Sequence, residues 1–262
     1  MTNIHETAII EEGAKIDKSV KVGPYCIIGK DVKLAKGCSL HSHVVITGYT
    51  TIGENTEIYP FASIGQTPPD LKFKGEKTFL EIGKDNVIRE YVTINPGTGS
   101  GGGLTKVGDR NLIMPLAHIA HDCKVGNGCV FSNAASLAGH VEVEDNVIFG
   151  GLSAVHQFTR IGTCSMIGGG SIVVQDVIPY GLVAGNRAVL EGLNLIGLKR
   201  RGFPKNIINE MNKAKGLIFS SEGSLKERLE RVTELYSDNE YVLFIIKFIE
   251  DSKKGICTPN GK

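Results

Sequence analysis

The sequence lacks tryptophan, an excess of either charge and any long apolar run, and these absences narrow its possible functions. The 29 basic and 28 acidic residues leave a net charge of +1. Such a chain has no overall field that would attract nucleic acid or an anionic membrane. The longest apolar run, Tyr241 to Ile246, is too short to span a bilayer, and the N-terminus does not read as a signal peptide. We predict a cytoplasmic protein that binds no nucleic acid and does not insert stably into a membrane.

The six cysteines include no CxxC pair, so the sequence offers neither a disulfide framework nor a thiolate metal site. Glycine is abundant instead, at 33 of 262 residues, and 41% of the chain is hydrophobic. This composition allows a substantial core and favours a repetitive fold with many turns.

A repeat of six residues governs most of the chain. An aliphatic or phenylalanine side chain recurs at every sixth position from Ile4 to Ile64, again from Ile82 to Ile94, and in a register shifted by one residue from Val107 to Val173. The position four residues after each of these is usually small or β-branched. Four cysteines occupy this position and are predicted to be reduced and buried: Cys26, Cys38, Cys123 and Cys129.

A six-residue period fits neither one face of an α-helix nor a long strand, but it is typical of short strands around a triangular parallel β-helix. The hexads stop at Pro179, and residues 205–217, 224–235 and 239–252 have helical spacing, with a capping box at Ser224 and Glu227. We therefore predict a mainly β protein, with a β-helix domain over residues 1–186 and a C-terminal α-helical domain over residues 187–262.

Two excursions interrupt the repeat, at residues 65–81 and 95–106. The second is rich in glycine, and one interpretation is a cradle for phosphate. A GKS or GKT sequence is missing, however, and no strand-to-helix context follows the loop.

Three hexads make one coil of about 18 residues, so residues separated by that number stack on one another. His121, Gly139 and Gln157 form such a column. Stacking gathers four histidines on or beside this edge: His118, His121, His140 and His156.

Three interpretations of this edge remain open. It could be a zinc site, as in the prism-shaped carbonic anhydrases, where imidazoles bind zinc across a subunit boundary. It could be an acid–base site, in which one imidazole removes a proton from a hydroxyl, Asp122 fixes its tautomer and the Gly139 N–H binds an oxyanion. It could also be the polar surface of a scaffold with no catalytic activity. Cys123 occupies an inward position, which excludes it as a nucleophile.

Several motifs resemble the UDP-N-acetylglucosamine O-acyltransferases, the family that opens lipid A biosynthesis. The resemblance runs over nearly the whole chain, and the motifs read DLKFKGE, GGGLTKVG, AHIAHDCKVGN, LAGHV, AVHQF and NLIGLKRRGF. The resemblance implies a homotrimer of left-handed β-helices with active sites between subunits, although the general handedness rule favours right-handed crossovers. It also implies acyl carrier protein as the donor and UDP-N-acetylglucosamine as the acceptor.

The resemblance further implies a role for individual residues. His121 matches the general base that deprotonates the glucosamine 3-hydroxyl, Asp122 its orienting partner, and Gly139 the oxyanion donor. Direct attack on the thioester then needs no metal and no cofactor. The positions that contact substrate are matched by Asp70, Lys72, His118, His140, His156 and Gln157, and those on the nucleotide side by Asn194, Arg200 and Arg201.

Gly169 matches the position that limits acyl-chain length when a bulky residue fills it, so the resemblance implies a long chain such as 3-hydroxymyristoyl. Two positions depart from the family pattern. Pro69 stands where Gln is frequent, and Ile196 stands where Glu is common. Neither side chain can form the corresponding hydrogen bonds, so the reaction type is more firmly implied than the nucleotide affinity or the sugar preference.

Overall fold

The computed structural model describes residues 3–259. Short strands follow one another along the chain and are distributed in turn over three sheets, which form the faces of a triangular prism. This arrangement confirms the predicted parallel β-helix.

The strands are numbered in chain order and are grouped here by the face to which they belong. Face 1 contains β1 (Ile9–Ile10), β4 (Ile27–Ile28), β7 (Val45–Ile46), β10 (Ser63–Ile64), β13 (Thr93–Ile94), β16 (His118–Ile119), β19 (Ser136–Leu137), β22 (Ala154–Val155) and β25 (Ile172–Val173). Face 2 contains β2 (Lys15–Ile16), β5 (Lys33–Leu34), β8 (Tyr49–Ile52), β11 (Phe79–Ile82), β14 (Leu104–Val107), β17 (Lys124–Val125), β20 (Glu142–Val143) and β23 (Arg160–Ile161). Face 3 contains β3 (Lys21–Val22), β6 (Ser39–Leu40), β9 (Glu57–Ile58), β12 (Val87–Ile88), β15 (Leu112–Ile113), β18 (Val130–Phe131), β21 (Ile148–Phe149), β24 (Met166–Ile167), β26 (Gly181–Ala184) and β27 (Val189–Leu193).

The register of the faces follows the hexads. Val130 pairs with Ile148, as the predicted coil length requires. The two excursions leave this pattern without breaking the sheet: Tyr49 pairs with Phe79, and Phe79 pairs with Leu104. Both excursions leave the prism as loops between a strand of face 1 and the next strand of face 2, and the coils continue beyond them.

Side chains at the repeating apolar positions fill the prism. The rings of Phe131 and Phe149 are fully buried and stack 4.5 Å apart between successive coils. Burial of one such side chain stabilises the fold by about 1.5–3 kcal/mol. All six cysteines are free and buried, which confirms the core packing predicted for four of them.

After the prism, the described part of the chain forms four α-helices, which are α1 (Leu195–Arg200), α2 (Lys205–Ile218), α3 (Leu225–Leu235) and α4 (Glu240–Glu250). The last three confirm the predicted segments, and the capping box at Ser224 and Glu227 is present. The division at residue 186 stays a prediction, because β27 lies beyond it and still extends face 3 by pairing antiparallel with β26. None of the helices between residues 3 and 259 combines the length and apolarity needed to cross a membrane.

Candidate active site

His121 and Asp122 form a hydrogen-bonded pair in the turn that follows β16. The His121 Nδ1 lies 2.8 Å from the Asp122 Oδ2, and the two side chains are 16% and 1% exposed. Asp122 has a φ of +59°, and its N–H donates to the Thr105 hydroxyl at 2.7 Å. Because a carboxylate only accepts hydrogen bonds, Nδ1 carries the hydrogen and Nε2 is left with a free lone pair. The pair therefore has the geometry of a general base with its orienting acid.

Gly139 lies directly beneath the His121 ring, as the column predicts. A Cβ at this position would be 2.5 Å from Cε1 and 2.7 Å from Nε2 of the imidazole. Real side chains do not approach so closely, so the ring can occupy this place only because residue 139 is glycine. The His140 N–H donates to the His121 carbonyl at 3.0 Å, which fixes the two coils relative to each other.

His140 is the second imidazole at this corner. Its ring meets that of His121 edge-on with centroids 5.1 Å apart, and its other side stacks on Phe158 at 4.4 Å. Burial lowers the pKa of His140, although the negative charges of Asp122 and Asp70 partly oppose this shift. The charge of Asp70 acts on His140 from the first excursion, residues 65–81. Within that excursion Asp70 also accepts the Lys72 N–H at 2.9 Å.

His118 lies on β16, on face 1. Its Nδ1 is 2.7 Å from the Thr93 hydroxyl. Burial lowers the pKa of His118, and the neighbouring His121 lowers it further. Its imidazole is thus biased towards the neutral form, which can both donate and accept a hydrogen bond.

His156 and Gln157 lie one coil further along the same corner, beside Lys254. The Lys254 Nζ is 3.0 Å from the His156 Nδ1 and also donates to the Gln157 carbonyl. These residues line a cleft of about 820 Å³ that also includes His140. Lys254 could not be predicted from the sequence, because it follows α4 in a segment without periodicity and lies 98 residues from His156.

Asn194, Arg200 and Arg201 lie elsewhere, against face 3. They line a cleft of about 750 Å³ with apolar residues that include the exposed Ile196. The Asn194 side chain caps α1 by accepting the Gly197 N–H at 3.0 Å, and it donates to the Cys164 carbonyl. Arg201 donates to the Asn146 side chain at 2.8 Å. Among these three residues, as far as the structure describes the cleft, Arg200 is the one whose side chain is not engaged in such a contact. Its guanidinium is therefore available to bind an anionic ligand.

Gly169 lies at a different corner of the prism from His121 and stacks on Gly151, as the sequence predicts. A Cβ at residue 169 would meet the Gly151 carbonyl at 3.4 Å, an ordinary contact, and the position is exposed. A larger side chain would therefore fit at this position without disturbing the coil. No hydrogen bond or ion pair between residues 3 and 259 joins this edge or the α1 cleft to His121.

Two other types of chemistry, metal binding and attack by a thiol, have candidate groups close to His121. Ligand atoms of His121, Asp122 and His140 lie within 4.8 Å of one another, as a metal site would require. Both Asp122 oxygens, however, already accept hydrogen bonds from Thr98, a residue that the sequence did not single out. Burial raises the pKa of Cys123 to about 12, in keeping with its exclusion as a nucleophile.

Two family models match the chain. "Udp N-acetylglucosamine O-acyltransferase; Domain 2" matches residues 176–257. "Bacterial transferase hexapeptide (six repeats)" matches residues 7–48 and 104–139.

Relatives and solved structures cover nearly the full length. An acyl-[acyl-carrier-protein]–UDP-N-acetylglucosamine O-acyltransferase of Thermodesulfovibrio yellowstonii is 51% identical over 98% of this chain and 100% of the relative. The crystal structure of a UDP-N-acetylglucosamine O-acyltransferase from Moraxella catarrhalis is 44% identical, with a TM-score of 0.93 over 97% of this chain and 99% of that one. The Francisella novicida UDP-N-acetylglucosamine acyltransferase is 37% identical, with a TM-score of 0.94 over 98% and 95%. These matches confirm the left-handed β-helix with a C-terminal helical region.

Proposed function

The chain belongs to the UDP-N-acetylglucosamine O-acyltransferase family and is an acyltransferase, and on this basis we propose its donor, acceptor and mechanism. It transfers a 3-hydroxyacyl chain from acyl carrier protein to the 3-hydroxyl of UDP-N-acetylglucosamine, in lipid A biosynthesis. The observation that carries the proposal is the hydrogen-bonded His121–Asp122 pair above Gly139. The names of the relatives supply the two substrates.

The reaction is a direct transfer. The free Nε2 of His121 accepts the proton of the sugar 3-hydroxyl as its oxygen attacks the thioester carbonyl, and Asp122 stabilises the imidazolium that forms. The tetrahedral oxyanion forms beside the Gly139 N–H, which donates a hydrogen bond to it. When the intermediate collapses, the carbon–sulfur bond breaks and the leaving thiolate takes the proton from His121 to become a thiol. The proton is thus returned, and no covalent enzyme intermediate forms.

The other residues named from the sequence bind the substrates in this proposal. Asp70, Lys72, His118, His140, His156 and Gln157 surround the sugar and the acyl group. Arg200 binds the diphosphate, since a guanidinium fork matches phosphate oxygens. Arg201 and Asn194 shape the nucleotide cleft, and their contacts with Asn146 and Gly197 support this positioning role.

A homotrimer completes the site. The His121 corner and the Arg200 cleft lie on different sides of the prism, so a single chain cannot present both to one UDP-sugar. If the His121 corner of one copy packed against face 3 of the next copy, the His121 corner and the Arg200 cleft would meet at one interface. A closed cyclic oligomer forms such a site at each of its interfaces. The Gly169 edge then lies at the end of the acyl channel and admits a long chain such as 3-hydroxymyristoyl. Six free buried thiols fit a reducing compartment, and we place the reaction in the cytoplasm.

The test is to incubate metal-depleted protein with UDP-N-acetylglucosamine and 3-hydroxymyristoyl carrier protein and to detect the acylated sugar nucleotide by mass. Formation of this product without added metal supports the proposal. Two results would contradict it. In one, the metal-depleted protein forms no product until zinc is added; in the other, product forms only when the acceptor is a 3-amino sugar nucleotide.

A further inference from the structure

Two consecutive N–H groups of the glycine-rich excursion, residues 95–106, donate to carboxylates. The Thr98 N–H donates to both oxygens of Asp122, at 3.0 and 3.1 Å, and the Thr98 hydroxyl donates to Oδ2 at 2.7 Å. The next N–H, of Gly99, donates to the Glu76 Oε1 at 2.8 Å. Donors that a phosphate cradle would need are therefore already bonded to acidic side chains, which argues against the cradle interpretation.

The loop is shaped to bring Thr98 against Asp122. The N–H groups of Gly101 and Gly103 both donate to the Thr98 carbonyl, at 3.0 and 2.9 Å, and close the loop on itself. A Cβ on Gly101 would overlap the Asp122 carboxylate, so the close approach requires glycine. Thr98 is only 1% exposed. Its position relative to Asp122 is therefore fixed by the loop backbone.

The contacts of Thr98 determine which way the Asp122 carboxylate faces. A free carboxylate rotates about its Cβ–Cγ bond, whereas here three hydrogen bonds from Thr98 hold its plane. The same Oδ2 that accepts the Thr98 hydroxyl also lies 2.8 Å from the His121 Nδ1. Groups that orient the partner of a functional imidazole in this way fix its tautomer and its ring direction.

We propose that Thr98 is a positioning residue for His121, which acts through Asp122 to hold the imidazole with its hydrogen on Nδ1 and its lone pair on Nε2. The effect on catalysis rests on the proposed function, since it assumes that Nε2 accepts the proton of the acceptor hydroxyl. The effect on the imidazole itself does not depend on the substrate.

Glu76 anchors the loop from its other side. Its two carboxylate oxygens accept the N–H groups of Gly99 and Lys74, both at 2.8 Å. Lys74 belongs to the excursion that carries Asp70 and Lys72, so Glu76 joins the two loops that approach the site. Loosening this contact should free Thr98 to move, with a smaller effect than loss of the Thr98 hydroxyl.

The test compares Thr98→Val, which keeps the shape and removes the hydroxyl, with Thr98→Ser, which restores it. Thr50→Val is the matched control, because Thr50 is equally buried and its hydroxyl donates to the Thr47 carbonyl at 2.7 Å. Two quantities are measured in the full-length protein. One is kcat and KM for acyl transfer, and the other is the Nδ1–H proton resonance of isotope-labelled His121, assigned with His121→Ala.

For Thr98→Val we expect kcat to fall about tenfold while KM for the UDP-sugar stays within about twofold, together with loss of the Nδ1–H resonance. Thr98→Ser and Thr50→Val should stay within about twofold of the parent in kcat and keep the resonance. A Thr98→Val protein that retains both kcat and the resonance would overturn the proposal.

Glu76→Ala provides a second test should Thr98→Val not fold. We expect a fall in kcat of about threefold and a broadened Nδ1–H resonance, and unchanged values of both would again overturn the proposal. If the parent protein transfers no acyl group, the proposed function is refuted. If the Nδ1–H resonance is nevertheless present in that parent and lost in Thr98→Val, the positioning role is supported.

Discussion

The imidazole of His121 rests on the backbone of Gly139, where a Cβ would lie 2.5 Å from the ring Cε1. Gly139→Ala must therefore displace either the ring or the turn, and we expect kcat to fall at least about a hundredfold, the scale of removing one catalytic donor or base. Steady-state kinetics measures this fall.

Gly151→Ala is the control for that substitution. At Gly151 a Cβ would meet the Asn133 carbonyl at 3.4 Å, an ordinary contact. Its kcat should stay within about threefold of the parent. If kcat fell equally in the two variants, the loss would come from disturbance of the coil and not from displacement of the His121 ring.

Complementation between variants tests whether sites form between copies of the chain. His121→Ala and Arg200→Ala alter two groups that lie on different sides of the prism. When the two inactive proteins are unfolded together and refolded at equal concentration, about a quarter of the sites in a cyclic trimer should regain both residues. Activity of the mixture, measured at a UDP-sugar concentration below KM, should exceed the mean of the two variants. A mixture that equals this mean would place both residues in one chain's site.

Gly169→Met tests the limit on acyl-chain length. The position is exposed and has room for a side chain, so the variant should fold. A methionine in the channel would exclude the last methylenes of a long chain, each worth about 0.8 kcal/mol of buried contact. We expect kcat/KM to shift by about a hundredfold towards a donor four carbons shorter. Unchanged preference in a competition between the two donors would remove Gly169 from the channel.

The lowered pKa of His140 predicts how stability depends on pH. Burial disfavours its charged form, so the unfolded chain binds a proton near the ordinary value of 6.5 while the folded chain does not. The free energy of unfolding should therefore fall as pH decreases below this value, until the lower folded pKa is reached. Asp70→Asn removes a charge that raises the pKa of His140, and the pKa should fall further.

An NMR titration of the His140 ring protons measures this change, with Asp31→Asn as a control carboxylate in the N-terminal coils. A higher His140 pKa in Asp70→Asn than in the parent would contradict the account. So would a parent value above 6.5, since burial would then not dominate.

The hexads made most of the fold predictable. Each inward side chain, such as Phe131, recurs at a fixed interval, and the stacking of Gly139 on the His121 coil follows from the same interval. Helix α1 escaped prediction because six residues are too few to show a helical period.

The surroundings of the site were less predictable than its core. Thr98 lies in the aperiodic glycine-rich loop and contacts Asp122, 24 residues away, and Lys254 contacts His156 from beyond the last helix. The resemblance placed Asn194 on the nucleotide side, whereas its side chain here is engaged in capping α1. Contacts of this kind depend on backbone conformations that no short pattern in the sequence specifies.

The rate of acyl transfer by His121→Ala tests the central claim most directly. His41→Ala is its control, because the His41 Nε2 also lies 2.8 Å from a carboxylate, that of Glu57, in coils away from the site. Single-turnover measurements at saturating donor and acceptor should show a fall of about 10²–10⁴-fold for His121→Ala and no change beyond about twofold for His41→Ala. A His121→Ala protein that folds normally and transfers the acyl group within about threefold of the parent rate would contradict the assignment of His121 as the general base.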